Sequence, residues 1–309
     1  MRWLLLPFKA IRHLYRWMWR IPRYIGLFMI FMVTISPLLA YIGLDAASRL
    51  ALSDEPTVQS YKGTGTKVGR IVFLGGAGAS PSAQAAGMLA MLQAEAKNVD
   101  VIEYASGKFS SKKIEDFVIA RIADDEHVIF VGASLGGLLS YDIIKKLRVS
   151  GDTRKFGVVL IDAPASGSDV IGIPWILKQF SWLPLGGITN QWYHPPFDRN
   201  APALIDPDAN RQQLEALWQS YETWETSCWI NQGDYVFSHD PIERLTDVTW
   251  YYIRSGADDF VGENSRSHWQ NDQGPMEGGI VPEGKHIAFL NRPKLYNAEI
   301  KTGIERVAA

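Results

Sequence analysis

From Gly69 to Ala165 the chain alternates short apolar runs with segments of helical period, and this alternation restricts the fold more than any other feature. "GRIVFLGG" is an apolar run closed by glycines and predicts a buried strand. "SAQAAGMLAMLQAEAK" is rich in Ala and Met and predicts a helix. "NVDVIEYAS" predicts a strand, and "SSKKIEDFVIARIADD" a helix opened by a Ser cap. "EHVIFVGAS" then predicts a strand, "LGGLLSYDIIKKLRV" a helix and "FGVVLIDAPA" a strand. A βαβαβαβ order implies a mostly parallel sheet with helices on both faces, an α/β fold.

The alternation stops after "FGVVLIDAPA". About 166–246 is rich in Trp, Pro and Gly, holds one helical pattern ("DANRQQLEALWQSYETW"), and is too long for an ordinary loop. It predicts a cap laid over the strand ends. A strand resumes at "DVTWYYIRSG". "GGIVPEGKHIAFLNRP" supplies a short strand and a loop, and "PKLYNAEIKTGIERV" a terminal helix.

The N-terminal part obeys a different pattern. Arg2, Lys9, Arg12, Arg16, Arg20 and Arg23 all precede the first acidic residue, Asp45. Between Arg23 and Asp45 lie 21 residues without a charge, and roughly 20 apolar residues suffice to cross a bilayer core. The expectation is an uncleaved transmembrane signal anchor at 24–44. It follows a basic amphipathic segment, 1–23, held on the cytoplasmic side against membrane lipid. A polar stem follows over 45–67, and a folded domain over 68–309 lies on the extracytoplasmic side.

Composition excludes some functions. The net charge of −2 gives no argument for nucleic acid as a partner. A single cysteine, Cys228, rules out a disulfide within the chain and a Cys-based zinc site.

In an open parallel sheet, chemistry sits at the carboxyl ends of the strands. Gly132-x-Ser134-x-Gly136 follows an apolar run and precedes a helix. There a nucleophilic serine on a strained strand-to-helix turn needs small neighbours, and a helix N-terminus favours negative charge. Gly75-Gly76-Ala77-Gly78 closes the first strand of the alternation and can offer a backbone N–H to an oxyanion, paired with that of Leu135. The rival reading of this loop, dinucleotide binding with Glu103 as the ribose acid, lacks the third glycine, because position 81 is Pro81. Asp258 and Asp259 lie just past "VTWYYIRSG", where a carboxylate can orient an imidazole. Of the six histidines, His286 alone follows a late strand and completes the order Ser…Asp…His.

With these residues assembled, the chain resembles the α/β-hydrolase superfamily over about 68–309. "IVFLGGAGAS" is similar to its oxyanion segment, "VGASLGG" to its nucleophile elbow, "SGADDFV" to its acid loop, and "VPEGKHIAFLNRPKLYN" to its histidine loop. The acid loop is one residue shorter than the usual spacing. Counting from Gly256 favours Asp259, counting back from Val261 favours Asp258, and Asp259 is preferred. Asp162, after "VVLI", is a third candidate. The resemblance implies a serine esterase or lipase with the catalytic set Ser134, Asp259 and His286, and an oxyanion hole from Ala77 and Leu135. It needs no metal and no organic cofactor. Trp175, Phe180, Trp182 and Trp192 in the cap, with Ile176 between them, suit an apolar acyl chain, so a lipid-like ester is the expected substrate. The alternatives are a membrane-tethered binding or assembly protein without chemistry, an acyltransferase, and a dinucleotide-binding oxidoreductase.

Overall fold

The computed structural model describes residues 55–77, 80–105, 109–123, 125, 127–171, 226–286 and 293–309, with Tyr24 alone among the first 50 and only the backbone for 226–231. The chain divides into two compact units, Met1–Leu50 and Ala51–Ala309. The expected basic segment and transmembrane anchor fall in the first and, Tyr24 apart, lie outside the described residues, as does most of the expected cap. Among the described residues no helix is long and apolar enough to cross a membrane.

In the second unit seven strands form one sheet: β1 (Thr57–Lys62), β2 (Val68–Leu74), β3 (Ala96–Glu103), β4 (Val128–Ala133), β5 (Phe156–Ile161), β6 (Val248–Ser255) and β7 (Glu277–Val281). Their spatial order is β1-β3-β2-β4-β5-β6-β7. Only β1 runs antiparallel, along β3, and every other pairing is parallel. β4 is central and all six of its residues are buried, which is why it reads as an unbroken apolar run rather than an alternating one.

Among the described residues the α-helices are α1 (Pro81–Ala85), α2 (Leu89–Glu95), α3 (Ser111–Arg121), α4 (Leu135–Val149), α5 (Thr226–Ser238), α6 (Ser265–Gln273) and α7 (Pro293–Ala308). Two apolar cores cover the two faces of the sheet. One gathers Phe130, Leu138, Tyr141, Val158, Tyr252 and Trp269, and the other Ile71, Ile129, Val159, Tyr251, Tyr296 and Ile300. Each large apolar side chain so buried contributes roughly 1.5–3 kcal/mol.

Three sequence expectations need correction. The stem expected over 45–67 contains β1, whose exposed edge residues show no apolar face. The single helix expected over 82–97 is two, α1 and α2, broken at 86–88. There Gly87 lies against Pro293 at the head of α7, so closely that a Cβ would come within 2.7 Å of the Pro293 ring, and from Ala96 the chain is already strand. His268, expected in a loop, sits on α6 with Nδ1 2.5 Å from the buried Asp169 carboxylate.

α5, in the segment expected to form the cap, is tied to α4. Tyr235 donates its hydroxyl to Asp142 at 2.6 Å, and His239 Nε2 lies 3.2 Å from the same carboxylate.

Candidate active site

Ser134 stands between β4 and α4 with φ 48° and ψ −117°. This is a left-handed φ, which costs a non-glycine residue about 1–3 kcal/mol and persists only where its surroundings enforce it. The Ser134 N–H donates to the Ile161 carbonyl at 2.8 Å, and its own carbonyl accepts from Gly137 N–H at 2.9 Å. The glycines on either side make the turn possible. A Cβ on Gly132 would lie 2.6 Å from the Gly136 carbonyl oxygen, and one on Gly136 would overlap the Leu74 carbonyl on the neighbouring strand.

His286, 8% exposed, faces Ser134. Its Nε2 accepts from the Ser134 hydroxyl at 3.0 Å, and its Nδ1–H donates to Asp258 Oδ2 at 2.9 Å. Asp258 Oδ1 accepts the N–H groups of Phe260 at 2.8 Å and Val261 at 2.9 Å. That turn fixes the carboxylate and leaves Oδ2 for the imidazole. The preference for Asp259 is therefore corrected: Asp258 orients His286, and Asp259 is exposed. The Phe260 ring stacks on the imidazole at 5.3 Å and 14°.

Burial opposes the imidazolium, but the Asp258 charge and hydrogen bond outweigh it and hold the His286 pKa above its ordinary 6.5. A general base must be neutral, so any rate that depends on His286 is lost as pH falls through this raised value. A pH profile of kcat/KM measures it. An acid limb below 6.5 would contradict the arrangement.

Asp162 ends β5 with φ 47° and is 1% exposed. Its Oδ1 accepts the Ser255 N–H at 2.6 Å and its Oδ2 the Ser255 hydroxyl. The Ser255 and Tyr296 hydroxyls are hydrogen-bonded, and both reach the Lys285 carbonyl at 3.2 Å, one residue before His286. Asp162 is thus not the imidazole's partner but part of the support beneath it. Burial, then the Asp258 charge, push its pKa up to about 7, against the pull of His286 and of the Ser255 bonds.

For an acid, a raised folded pKa destabilises. Between 3.8 and about 7 the unfolded carboxyl ionises while the folded one does not, so stability falls as pH rises through that window. Asp162→Asn keeps the left-handed φ and can bond Ser255 through its amide. It is expected to leave stability little changed near pH 4 and to raise it at pH 8. Urea melts at the two pH values test this, and an equal change at both would refute it.

Asp162, Asp258 and His286 present potential metal ligands within 4.8 Å of one another. Each is instead satisfied by protein groups, the Asp162 oxygens by Ser255 and those of Asp258 by two amides and His286.

Of the expected oxyanion donors, Leu135 heads α4, where backbone N–H groups have no partner within the helix. Ala77, on the loop after β2, is exposed. Gly76, just before it, is packed on the elbow, since a Cβ there would come within 3.1 Å of Ser134 Cβ. Glu103, the acid of the dinucleotide reading, accepts the N–H of Ser82 at 2.8 Å and the Ser80 hydroxyl at 3.1 Å, and so anchors α1. Trp175, Ile176, Phe180, Trp182 and Trp192 lie outside the described residues.

No protein-family profile and no curated protein sequence matches the chain. Solved structures do. An esterase from Rhodococcus sp. superposes with a TM-score of 0.58 at 18% identity, over 83% of this chain and 97% of that one. The chain has the α/β-hydrolase fold. A thermophilic esterase from Thermogutta terrifontis matches with a TM-score of 0.58 at 13% identity, over 82% of this chain and 94% of that one. A hydrolase from Oleispira antarctica matches with 0.59 at 13%, over 82% and 95%. Within this α/β-hydrolase fold, Ser134, Asp258 and His286 come from the ends of three different strands, β4, β6 and β7.

Proposed function

We propose that the chain is a serine hydrolase that cleaves carboxylic esters. The observation that carries this reading is the unbroken line Ser134–His286–Asp258, at 3.0 and 2.9 Å, with the serine on a strained turn at a helix N-terminus. Similarity of fold to esterases supports it.

His286 Nε2 takes the Ser134 proton as Oγ attacks the acyl carbonyl carbon. The carbonyl π electrons move to oxygen, and the N–H groups of Leu135 and Ala77 hold the oxyanion. When the tetrahedral adduct collapses, the C–O bond to the alcohol breaks and His286 gives its proton to the departing oxygen. Water, deprotonated by His286, attacks the acyl-serine, and the carboxylic acid leaves as Ser134 recovers its proton. Asp258 stabilises the imidazolium throughout.

The substrate proposed is an apolar or lipid-like acyl ester. The aromatic composition of the cap supports this, as does the charge-free span 24–44 behind a basic block, which suits a membrane anchor with the hydrolase on the extracytoplasmic side. The test is turnover of p-nitrophenyl esters of graded chain length by the full-length chain. The expected result is hydrolysis that rises from acetate to longer acyl chains and is lost in Ser134→Ala. Equal turnover by Ser134→Ala would refute the mechanism. A preference for acetate would refute the apolar acyl pocket.

A further inference from the structure

Gln84 has no part in the triad, yet it is one of the most buried polar side chains in the protein, at 2% exposure. It lies on α1 and reaches back to the loop after β2. Gly76 N–H donates to its Oε1 at 2.8 Å, and its Nε2 donates to the Gly76 carbonyl at 3.0 Å. These two bonds fall on two successive peptide groups. The Gly75–Gly76 peptide is held at its N–H by Gln84 and at its carbonyl by the Tyr104 hydroxyl, at 2.6 Å. The Gly76–Ala77 peptide is held at its carbonyl by Gln84.

A peptide is planar and trans, so its N–H points opposite to its carbonyl. Fixing the Gly76 carbonyl on Gln84 therefore turns the Ala77 N–H away from Gln84. The same loop is closed in on both sides: a Cβ on Gly76 would meet Ser134 Cβ at 3.1 Å, and one on Gly75 would meet Gln84 Cδ at 3.1 Å. The bond from Gly76 N–H to Gln84 also removes that amide from competition for an oxyanion. α1 itself is fixed through Glu103 to the end of β3.

We propose that Gln84 is a positioning residue for the oxyanion hole: its side-chain amide clamps the Gly76 peptide groups and so aims the Ala77 N–H. The proposal rests on the serine-hydrolase reading. The two hydrogen bonds from Gln84 go to Gly76 and not to Ser134, His286 or Asp258, so their effect on the site passes through the backbone. The clamp needs one donor and one acceptor in a single planar group. Methionine fills similar space and supplies neither. Glutamic acid supplies both when protonated and loses the donor when ionised.

The experiment uses the full-length chain, p-nitrophenyl butyrate, and a fluorophosphonate endpoint titration that counts competent serines. Turnover is expressed per titrated serine, so misfolded protein drops out. For Gln84→Met the expected result is a kcat about 10- to 100-fold lower, less than the loss of a whole oxyanion donor. KM should stay within about threefold, and the His286 acid limb should not move. For Gln84→Glu, kcat relative to wild type is expected to rise as pH falls from about 8 to 6, because a buried carboxyl regains its proton in that direction.

An unchanged kcat per titrated serine in Gln84→Met overturns the clamp. If that variant yields no folded protein, Gln84→Glu decides, and a ratio flat with pH overturns it. A wild type without Ser134-dependent turnover overturns the hydrolase reading and the clamp together, whereas an active wild type matched by both variants overturns the clamp alone.

Discussion

Asp258→Asn is expected to lower kcat/KM by about 10³- to 10⁴-fold, while Asp259→Asn stays within about twofold of wild type. The difference follows from one turn. Asp258 Oδ1 is held by the amides of Phe260 and Val261, which directs Oδ2 to His286 Nδ1. An asparagine held the same way is free to present its NH₂ to the imidazole. The ring would then hold its proton on Nε2, the nitrogen that must accept one from Ser134. Asparagine also removes the charge that raises the His286 pKa, so the residual activity should show an acid limb at lower pH than wild type. Steady-state kinetics on both variants across pH measures this. A large loss in Asp259→Asn with a small one in Asp258→Asn would reverse the assignment.

Gly136→Ala is expected to destabilise the protein by about 3 kcal/mol or more and to abolish activity. Position 136 is the second residue of α4, and there a methyl group would overlap the Leu74 carbonyl of β2 and crowd the Gly75 carbonyl at 2.9 Å. Both obstacles are backbone, at and just past the carboxyl end of the inner strand β2, so neither can swing aside. Relief requires α4 to lift from β2, and this shifts Ser134, two residues earlier, away from His286. Urea denaturation measures the stability, and fluorophosphonate labelling the site. A variant with wild-type stability would show that the close approach of helix and strand is not as described.

These effects explain why some of the protein is legible in its sequence. The β4–elbow–α4 unit is written three times over: in four consecutive apolar residues from Val128, in glycines where backbones nearly touch, and in a helical period from Leu135. His286 stands out by its place in the chain order. The acid does not, because two adjacent aspartates fit equally well and only the path of the turn chooses between them.

β1 is hidden because an exposed edge strand needs no apolar alternation. α6 is hidden because "SRSHWQNDQ" is polar throughout and buries Trp269 as its one large apolar anchor. Gln84 sits in an Ala-rich stretch that reads as ordinary helix. Its role depends on a loop eight residues away, for which no local pattern exists.

The hydrolase reading stands or falls with Ser134 as an activated nucleophile. The most direct test is to treat the full-length protein with a fluorophosphonate and locate the adduct by peptide mass spectrometry, with Ser134→Ala and His286→Ala alongside. One adduct per chain is expected, on Ser134, formed rapidly in wild type and absent from both variants while their circular dichroism is unchanged. Adduct on another residue, or labelling of Ser134 at the same rate without His286, would contradict that reading.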